Sequence, residues 1–152
     1  YITTSRYYLG GYSSNSSLTN EMYGYERGTL RYNTDRPLYW EGMVGLMYPS
    51  DYGYAAGNIC VNGTKLFGYN GGCRIKDWLW MTTSSDYTNN GEWLMSLRSG
   101  GSGDVFGVDS SGYVSIKGYS SHVFSARPVF FLNSSASISK GEGTFATPYI
   151  LS

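Results

Sequence analysis

The 152-residue chain carries 11 basic and 11 acidic side chains, so it has no net charge. Without net charge or a basic run, it lacks the electrostatic signature of proteins that bind nucleic acid or acidic membrane surfaces. Its 16 Tyr, 4 Trp and 21 Gly are typical of β-rich extracellular domains and of binding surfaces. The length predicts one domain, residues 1–152, and no hydrophobic run reaches the length of a membrane span.

A short helix is predicted early in the chain. Leu18, Met22 and Tyr25 recur at helical spacing, which places them on one face of a helix. Ser17 is the expected N-cap, because its hydroxyl can accept a hydrogen bond from a free backbone amide. Gly28 is expected to end the helix.

Strands are predicted over residues 6–9 and 42–48, the second containing glycines that allow another backbone to approach closely. Pro49 cannot continue a central strand because it has no amide proton to donate. Ser50 is a good N-cap, so we expect a second short helix over residues 51–56.

Two cysteines, Cys60 and Cys73, lie close together in a segment rich in Gly, Asn and Tyr. Neither belongs to a CxxC or zinc-ligand pattern, and a single histidine, His122, cannot complete such a site. A disulfide that closes this loop is favoured, and two buried free thiols remain the alternative. Between the cysteines, Asn62-Gly63 predicts a hairpin turn.

The second half of the chain is predicted to consist mainly of strands. One is predicted over residues 93–97, and a hairpin joins residues 105–108 to residues 113–116 through a turn that ends at Gly112. Phe106 and Val108 share one face of the first hairpin strand.

The longest apolar run, residues 125–132, is predicted to be the central strand of the sheet. Val129, Phe130 and Phe131 follow one another without polar residues between them, which indicates a strand covered on both faces. Pro128 is expected at the start of that strand. Arg127 then lies at the entrance to the core and needs a carboxylate or carbonyl partner.

Catalytic chemistry has little support in the sequence. His122 is the only histidine and no nucleophile motif accompanies it, and the spacing of the acidic residues selects no carboxylate pair. Asp104 and Asp109 offer oxygen ligands for calcium, although Asp109 is equally explained as a turn residue. We therefore expect a protein that is not an enzyme and uses no cofactor, with calcium binding left open.

Two stretches resemble a known family. Residues 46–56 resemble the strand-proline-helix signature of formylglycine-generating-enzyme-like domains, and residues 125–129 stand where those domains carry their C-terminal Gly-Phe-Arg strand. The chain is more similar to an uncharacterised family of secreted bacterial domains, often the C-terminal heads of prepilin-like proteins. That similarity spans most of residues 40–152 and is carried by residues 45–55, 77–79, 105–114, 127–129 and 141–151.

The resemblance implies an α+β, β-rich C-type-lectin-like fold, with one or two short helices and a mixed, mainly antiparallel sheet. It implies an extracellular or cell-surface location, with any membrane attachment made through a segment that precedes Tyr1. The chain shows no paired-cysteine site of a formylglycine-generating enzyme, so that enzyme activity is the least favoured alternative.

The predicted function is a non-catalytic domain of a bacterial surface or pilus-like protein, structural or adhesive, and the alternative is a carbohydrate-binding, lectin-like module. Its partners would be pilus or surface-protein subunits, or a glycan or protein on a host or bacterial surface. Loops on a rigid scaffold usually carry such binding. The predicted ligand-binding residues are Tyr69, Asn70, Tyr87, Asn89, Trp93 and Tyr119.

Overall fold

The structure, a computed structural model, describes residues 1–14, 16–30, 35–69, 71–73, 91–101, 103–109, 111–118, 124–144 and 146–152. These residues form a small α+β protein with mostly antiparallel sheets. The helices are α1 (Thr19–Arg27), α2 (Pro49–Tyr54) and α3 (Asn58–Gly63), followed by 3-10 turns at Leu66–Gly68 and Gly71–Cys73. The strands are β1 (Ile2–Thr3), β2 (Ser5–Tyr8), β3 (Tyr39–Gly42), β4 (Gly45–Leu46), β5 (Gly91–Leu97), β6 (Asp104–Asp109), β7 (Val114–Gly118), β8 (Ser125–Ala126), β9 (Pro128–Val129), β10 (Phe131–Leu132), β11 (Ile138–Lys140) and β12 (Ile150–Leu151).

The largest sheet has the strand order β7-β6-β5-β8. Strands β5, β6 and β7 pair antiparallel, and β8 pairs parallel to β5. The predicted hairpin is confirmed as β6 and β7. Its turn is held by the Asp109 carboxylate, which accepts hydrogen bonds from the amides of Ser111 and Tyr113, and Gly112 adopts a positive φ of 92°.

The core lies between one face of this sheet and the helices. Leu94, Phe106, Val108 and Val114 contribute the sheet side, because alternate residues of a strand point to the same face. The residues that complete the core come from the helices and the loops around them: Met22, Met47, Tyr52, Cys60, Leu66 and Tyr69.

Helices α1 and α2 form close to where the sequence predicts them, each beginning one or two residues away from the expected cap. Leu18 rather than Ser17 is the residue before α1, and the Glu21 carboxylate accepts a hydrogen bond from the Leu18 amide. α2 starts at Pro49, which needs no hydrogen-bond acceptor for its nitrogen at the first helical position.

A buried carboxylate joins these two helices. Glu26, near the end of α1, is fully buried and accepts hydrogen bonds from both the amide and the hydroxyl of Ser50 at the start of α2. It also pairs with Arg27 at 3.1 Å. Burial raises the pKa of Glu26 to about 7, opposed by the Ser50 hydrogen bonds and by Arg27.

The cysteine prediction is confirmed: Cys60 on α3 is joined to Cys73, with their Cα atoms 5.7 Å apart. The Asn62-Gly63 hairpin prediction is wrong, because both residues belong to α3. The intervening chain is held by local helical hydrogen bonds, such as Thr64 amide to Cys60 carbonyl. A dipeptide turn signal is therefore overridden here by helix formation around the buried Cys60.

The central-strand prediction for residues 125–132 is wrong. The segment divides into three two-residue strands, and β8, β9 and β10 pair with β5, β4 and β1 respectively. Phe130 and Phe131 are 46% and 51% exposed rather than buried between two layers. The segment changes partner every two or three residues, and the strands with neighbours on both sides in the largest sheet are instead β5 and β6.

The predicted partner of Arg127 is present. Its guanidinium forms an ion pair with Glu92, a buried residue on the core face of β5. Burial raises the pKa of Glu92, and the Arg127 charge opposes that shift. Arg127 lies between β8 and β9, so this ion pair attaches the segment of residues 125–132 to the main sheet.

Along the described ranges, no helix combines the length and apolar character that crossing a membrane requires, and no group of His, Cys, Asp and Glu residues is arranged to hold a metal ion.

Candidate binding surface

A surface pocket of about 290 Å³ lies where the small sheets meet helices α1 and α2. Elements distant in the sequence supply its walls, since strands β2, β9 and β10 and the ends of two helices converge there. Its lining residues are Tyr7, Arg27, Tyr48, Asp51, Val129, Phe130 and Phe131. The lining combines aromatic rings with a cation and an anion, a mixture typical of ligand pockets.

Tyr7 is the centre of the apolar side of this pocket. It is 1% exposed, and its ring lies 5.5 Å from the Trp40 ring and 5.8 Å from the Phe131 ring, measured between centroids. Gly45 makes room for it, because a Cβ at that position would fall 2.4 Å from a Tyr7 ring atom. The Tyr7 hydroxyl lies 3.4 Å from the carbonyl oxygens of Met43 and Val129, which ties the ring to β9 and to the residues that precede β4.

The polar side is organised around Arg27, the last residue of α1. Its guanidinium carbon lies 3.6 Å from the Tyr23 ring centroid and 5.0 Å from that of Tyr48, so both rings stabilise the charge. Asp51 accepts a hydrogen bond from the Tyr48 amide at 3.1 Å. Burial raises the pKa of Tyr48 above its ordinary range, so its hydroxyl stays protonated and donates to the Tyr8 carbonyl at 3.0 Å.

Two exposed aromatic side chains line the pocket and three further exposed apolar residues neighbour its lining residues; we call these five the aromatic face. Phe130 and Phe131 lie at its rim, and Val44 lies opposite Phe130 if the β4–β9 register is continued by one residue. The five residues are each between 44% and 52% exposed: Trp40, Met43, Val44, Phe130 and Phe131. Large apolar side chains clustered at a surface usually mark an interaction site.

Trp40 lies flat along its own strand. A Cβ added at Gly42 would fall 2.1 Å from a Trp40 ring atom, so the indole ring covers the Gly42 backbone. Gly42 lies two residues further along β3 and therefore on the same face. Trp40 remains 46% exposed in this position, which leaves part of a flat aromatic ring open to solvent.

A second, shallower cavity of about 360 Å³ lies beside the disulfide. Cys60 and Cys73 line it together with Ala56, Gly57 and Ile59. Ile59 is 90% exposed. The cavity has no charged lining residue among those described, so it offers less to orient a ligand than the pocket beside the aromatic face.

The residues predicted to bind a ligand are not brought together by the described structure. Tyr69 is fully buried and its hydroxyl lies 2.8 Å from that of Thr19, so its side chain is not presented at the surface. Trp93 is half-buried and packs against Phe124 with ring centroids 4.8 Å apart. The other four predicted residues lie outside the described part of the chain: Asn70, Tyr87, Asn89 and Tyr119.

Sequence reasoning misses the aromatic face because Phe130 and Phe131 are apolar and adjacent, which predicts a place in the core, and adjacency alone does not reveal that both are exposed. Trp40 and Gly42 do carry a local signal, since a tryptophan two residues before a glycine in a strand lets the ring lie on bare backbone.

No protein-family model, no curated protein and no solved structure matches this chain.

Proposed function

We propose that the chain is a non-catalytic, C-type-lectin-like extracellular domain of a bacterial surface or pilus-like protein, and that it binds a structural or adhesive partner through the aromatic face. The sequence resemblance to secreted, prepilin-like heads supports this, and one structural observation carries it. Phe130 and Phe131 lie exposed in the lining of a pocket that also contains Arg27 and Asp51, and three further exposed apolar side chains neighbour residues of that pocket.

The size of the aromatic face supports a binding role. Five large side chains at about half exposure present on the order of 400–500 Å² of mainly apolar area, given that an aromatic side chain can bury 150–250 Å². A patch of that size falls in the range at which surface patches are often functional. Arg27 and Asp51 add charges of both signs at its edge, which gives a partner an orientation as well as a contact area.

The location is supported by the disulfide. A bond between Cys60 and Cys73 forms and persists in oxidising compartments, which include the exterior of the cell. Since most of the sequence resemblance also points to secreted bacterial domains, the two arguments agree on an extracellular or cell-surface site.

Retention of chain-coated beads under flow tests this function. The surfaces are mucin, bacterial peptidoglycan and the immobilised chain itself. The aromatic-face variant replaces Val44 and Phe130 by Thr (V44T/F130T), a β-branched residue that suits the extended chain next to β4 and β9, and it avoids the side chains that contact Tyr7. The matched control is Ile59→Thr, which removes an apolar side chain that is 90% exposed on α3.

We expect wild type and the Ile59→Thr control to be retained equally on at least one of the three surfaces. The aromatic-face variant should lose about tenfold or more in retention there, as expected when a central apolar contact is removed. The proposal is overturned if the wild-type chain is held by none of these surfaces, or if the variant is retained as well as the wild type.

A carbohydrate-binding role is the second candidate, and the position of Trp40 favours it. A tryptophan ring that lies on glycine backbone and stays half-exposed presents a flat apolar surface on which a sugar ring can stack. Titration of the chain with millimolar galactose, glucose and N-acetylglucosamine, followed by Trp fluorescence and by the NMR signal of the Trp40 indole, tests this. No response that depends on Trp40 would remove this candidate.

A further inference from the structure

The last described strands form a hairpin that stands apart from the core. β11 and β12 pair antiparallel and pack mainly against each other. The base is closed by hydrogen bonds between Ser137 and Ser152 in both directions. At the tip, Gly141 and Gly143 adopt positive φ angles of 95° and 78°, which only glycine adopts without strain. The hairpin therefore has a defined backbone conformation and is not an irregular tail.

Its side chains are uncovered. Among the described residues of the hairpin, four apolar side chains are between 37% and 58% exposed: Ile138, Tyr149, Ile150 and Leu151. A two-stranded sheet with an exposed apolar surface is marginally stable in water, and exposed strands of this kind are prone to pair with other chains. The hairpin thus has the properties of an element that becomes covered by a partner.

The same molecule carries a second uncovered apolar surface. Ile138 pairs with Leu151 across the hairpin, and Tyr149 lies two residues before Leu151, so these three side chains lie on one face and Ile150 on the other. The three side chains present roughly 300 Å² of apolar area, compared with on the order of 400–500 Å² for the aromatic face. A weak, transient interface buries less than about 1,200 Å² in total, or about 600 Å² per partner, of which about 57% is apolar. Each surface therefore supplies close to the apolar area that one side of such a contact needs, and both are exposed in the described part of the chain.

The charges also permit this contact. The hairpin carries Lys140 and Glu142, and the pocket edge carries Arg27 and Asp51, so opposite charges can be paired across the interface. Since the chain has no net charge, two copies do not repel each other over long range.

We propose that the β11–β12 hairpin of one copy of this chain docks on the aromatic face of a second copy. The inference rests on the proposed function, because it names the partner of the aromatic face. The two contacting surfaces are different, so the association is heterologous: each copy in a row still offers one free hairpin and one free aromatic face. Association then continues beyond the dimer as concentration rises.

Sedimentation velocity of the chain, from micromolar to millimolar concentration, tests the inference with two variants. The hairpin variant replaces the cross-strand pair Ile138 and Leu151 by Thr (I138T/L151T), a β-branched residue that suits a strand, and so removes apolar area from one face. The second is the aromatic-face variant V44T/F130T. Circular dichroism and the amide NMR signals of residues 137–152 verify that each variant keeps its fold, and Ile59→Thr is again the control.

Mixing the two variants is the decisive measurement. Each alone should stay monomeric, because each lacks one half of the contact. Mixed together, the intact hairpin of one and the intact aromatic face of the other should form a 1:1 heterodimer that cannot grow. The wild type and Ile59→Thr should instead sediment faster with increasing concentration and pass the dimer without a plateau.

The other outcomes separate the two proposals. If the hairpin variant associates like the wild type and the aromatic-face variant does not, the hairpin is not the partner and two aromatic faces pair with each other. A wild type that stays monomeric at millimolar concentration also overturns the inference, yet retention of beads on mucin or peptidoglycan through the aromatic face would leave the proposed function standing. If the aromatic-face variant behaves as the wild type in both experiments, both proposals fail.

Discussion

The main sheet and the aromatic face both contain large apolar residues, but these residues are buried in the main sheet and exposed on the aromatic face. Phe106 on β6 is fully buried, whereas Phe130 is 46% exposed. β6 keeps two strand partners over its length, so one of its faces packs continuously against the helices. The segment 125–132 changes partners every two or three residues. The comparison shows that burial here follows from continuous strand pairing rather than from the hydrophobicity of the residues.

Replacing the two phenylalanines by alanine gives the largest expected difference. Phe106→Ala leaves a cavity in the core and should lower the free energy of unfolding by about 3–5 kcal/mol. Phe130→Ala should cost less than about 1 kcal/mol, because its side chain is already half in water. Urea denaturation of both variants measures the two values. Equal losses would show that the aromatic face is part of the folding core and would contradict the comparison.

The disulfide belongs to the buried region, as the main sheet does, since Cys60 is part of the core cluster. Replacing both cysteines by alanine opens the loop between them and should lower the free energy of unfolding by about 3 kcal/mol, chiefly because the unfolded chain gains freedom. Denaturation of the wild type with and without reductant is the matched measurement. A reductant effect that persists in the double variant would point to a different cause.

The sequence predicts those parts of the structure that are determined by residues close together in the chain, and it fails where distant residues determine the outcome. The β6–β7 hairpin and helix α1 were predictable because turn residues and periodicity lie within each element. The disulfide followed from two cysteines at short separation. The exposure of Phe130 was not predictable, because it depends on the pairing of β9 with β4, more than eighty positions earlier in the chain. The burial of Tyr69 is not predictable for the same reason, because nothing local indicates that Thr19 and Tyr52 contact it.

Glu26, buried between α1 and α2, makes the stability of the fold depend on pH. The pKa of its carboxyl is raised from 4.5 to about 7, mainly by burial, so the folded chain holds this proton more tightly than the unfolded chain does. Its contribution is therefore favourable at pH below about 4.5 and is lost as the pH rises to about 7, by up to about 3 kcal/mol. Unfolding free energies measured between pH 4 and 8 should show this decline.

Glu26→Gln should remove most of that pH dependence, because glutamine stays neutral and can still accept a hydrogen bond from Ser50. Glu142→Gln, at an exposed position of the hairpin, is the control and should leave the slope as in the wild type. If Glu26→Gln and the wild type decline in parallel, another group is responsible for the slope.

Replacing two glycines that lie next to aromatic rings by alanine should give the smallest changes in stability, and each change reports on one ring. A Cβ at Gly45 would meet the buried Tyr7 ring at 2.4 Å, and a Cβ at Gly42 would meet the exposed Trp40 ring at 2.1 Å. Tyr7 is enclosed, so Gly45→Ala should cost about 1–3 kcal/mol, as overpacking does. Trp40 can turn outward, so Gly42→Ala should cost less than about 1 kcal/mol while shifting the Trp fluorescence toward longer wavelength.

Gly24→Ala is the control for these two substitutions, because nothing lies within 4 Å of a Cβ there and the residue belongs to α1. Alanine favours helix over glycine, so this variant should gain about 0.5–1 kcal/mol. Urea denaturation should rank the three Gly→Ala variants by their change in the free energy of unfolding: a gain at Gly24, a small loss at Gly42 and the largest loss at Gly45. This order is expected only if Tyr7 is enclosed and Trp40 is free to move. A larger loss at Gly42 than at Gly45 would mean that Trp40 is held in place and that the aromatic face is as rigid as the core, which removes the contrast between the two regions.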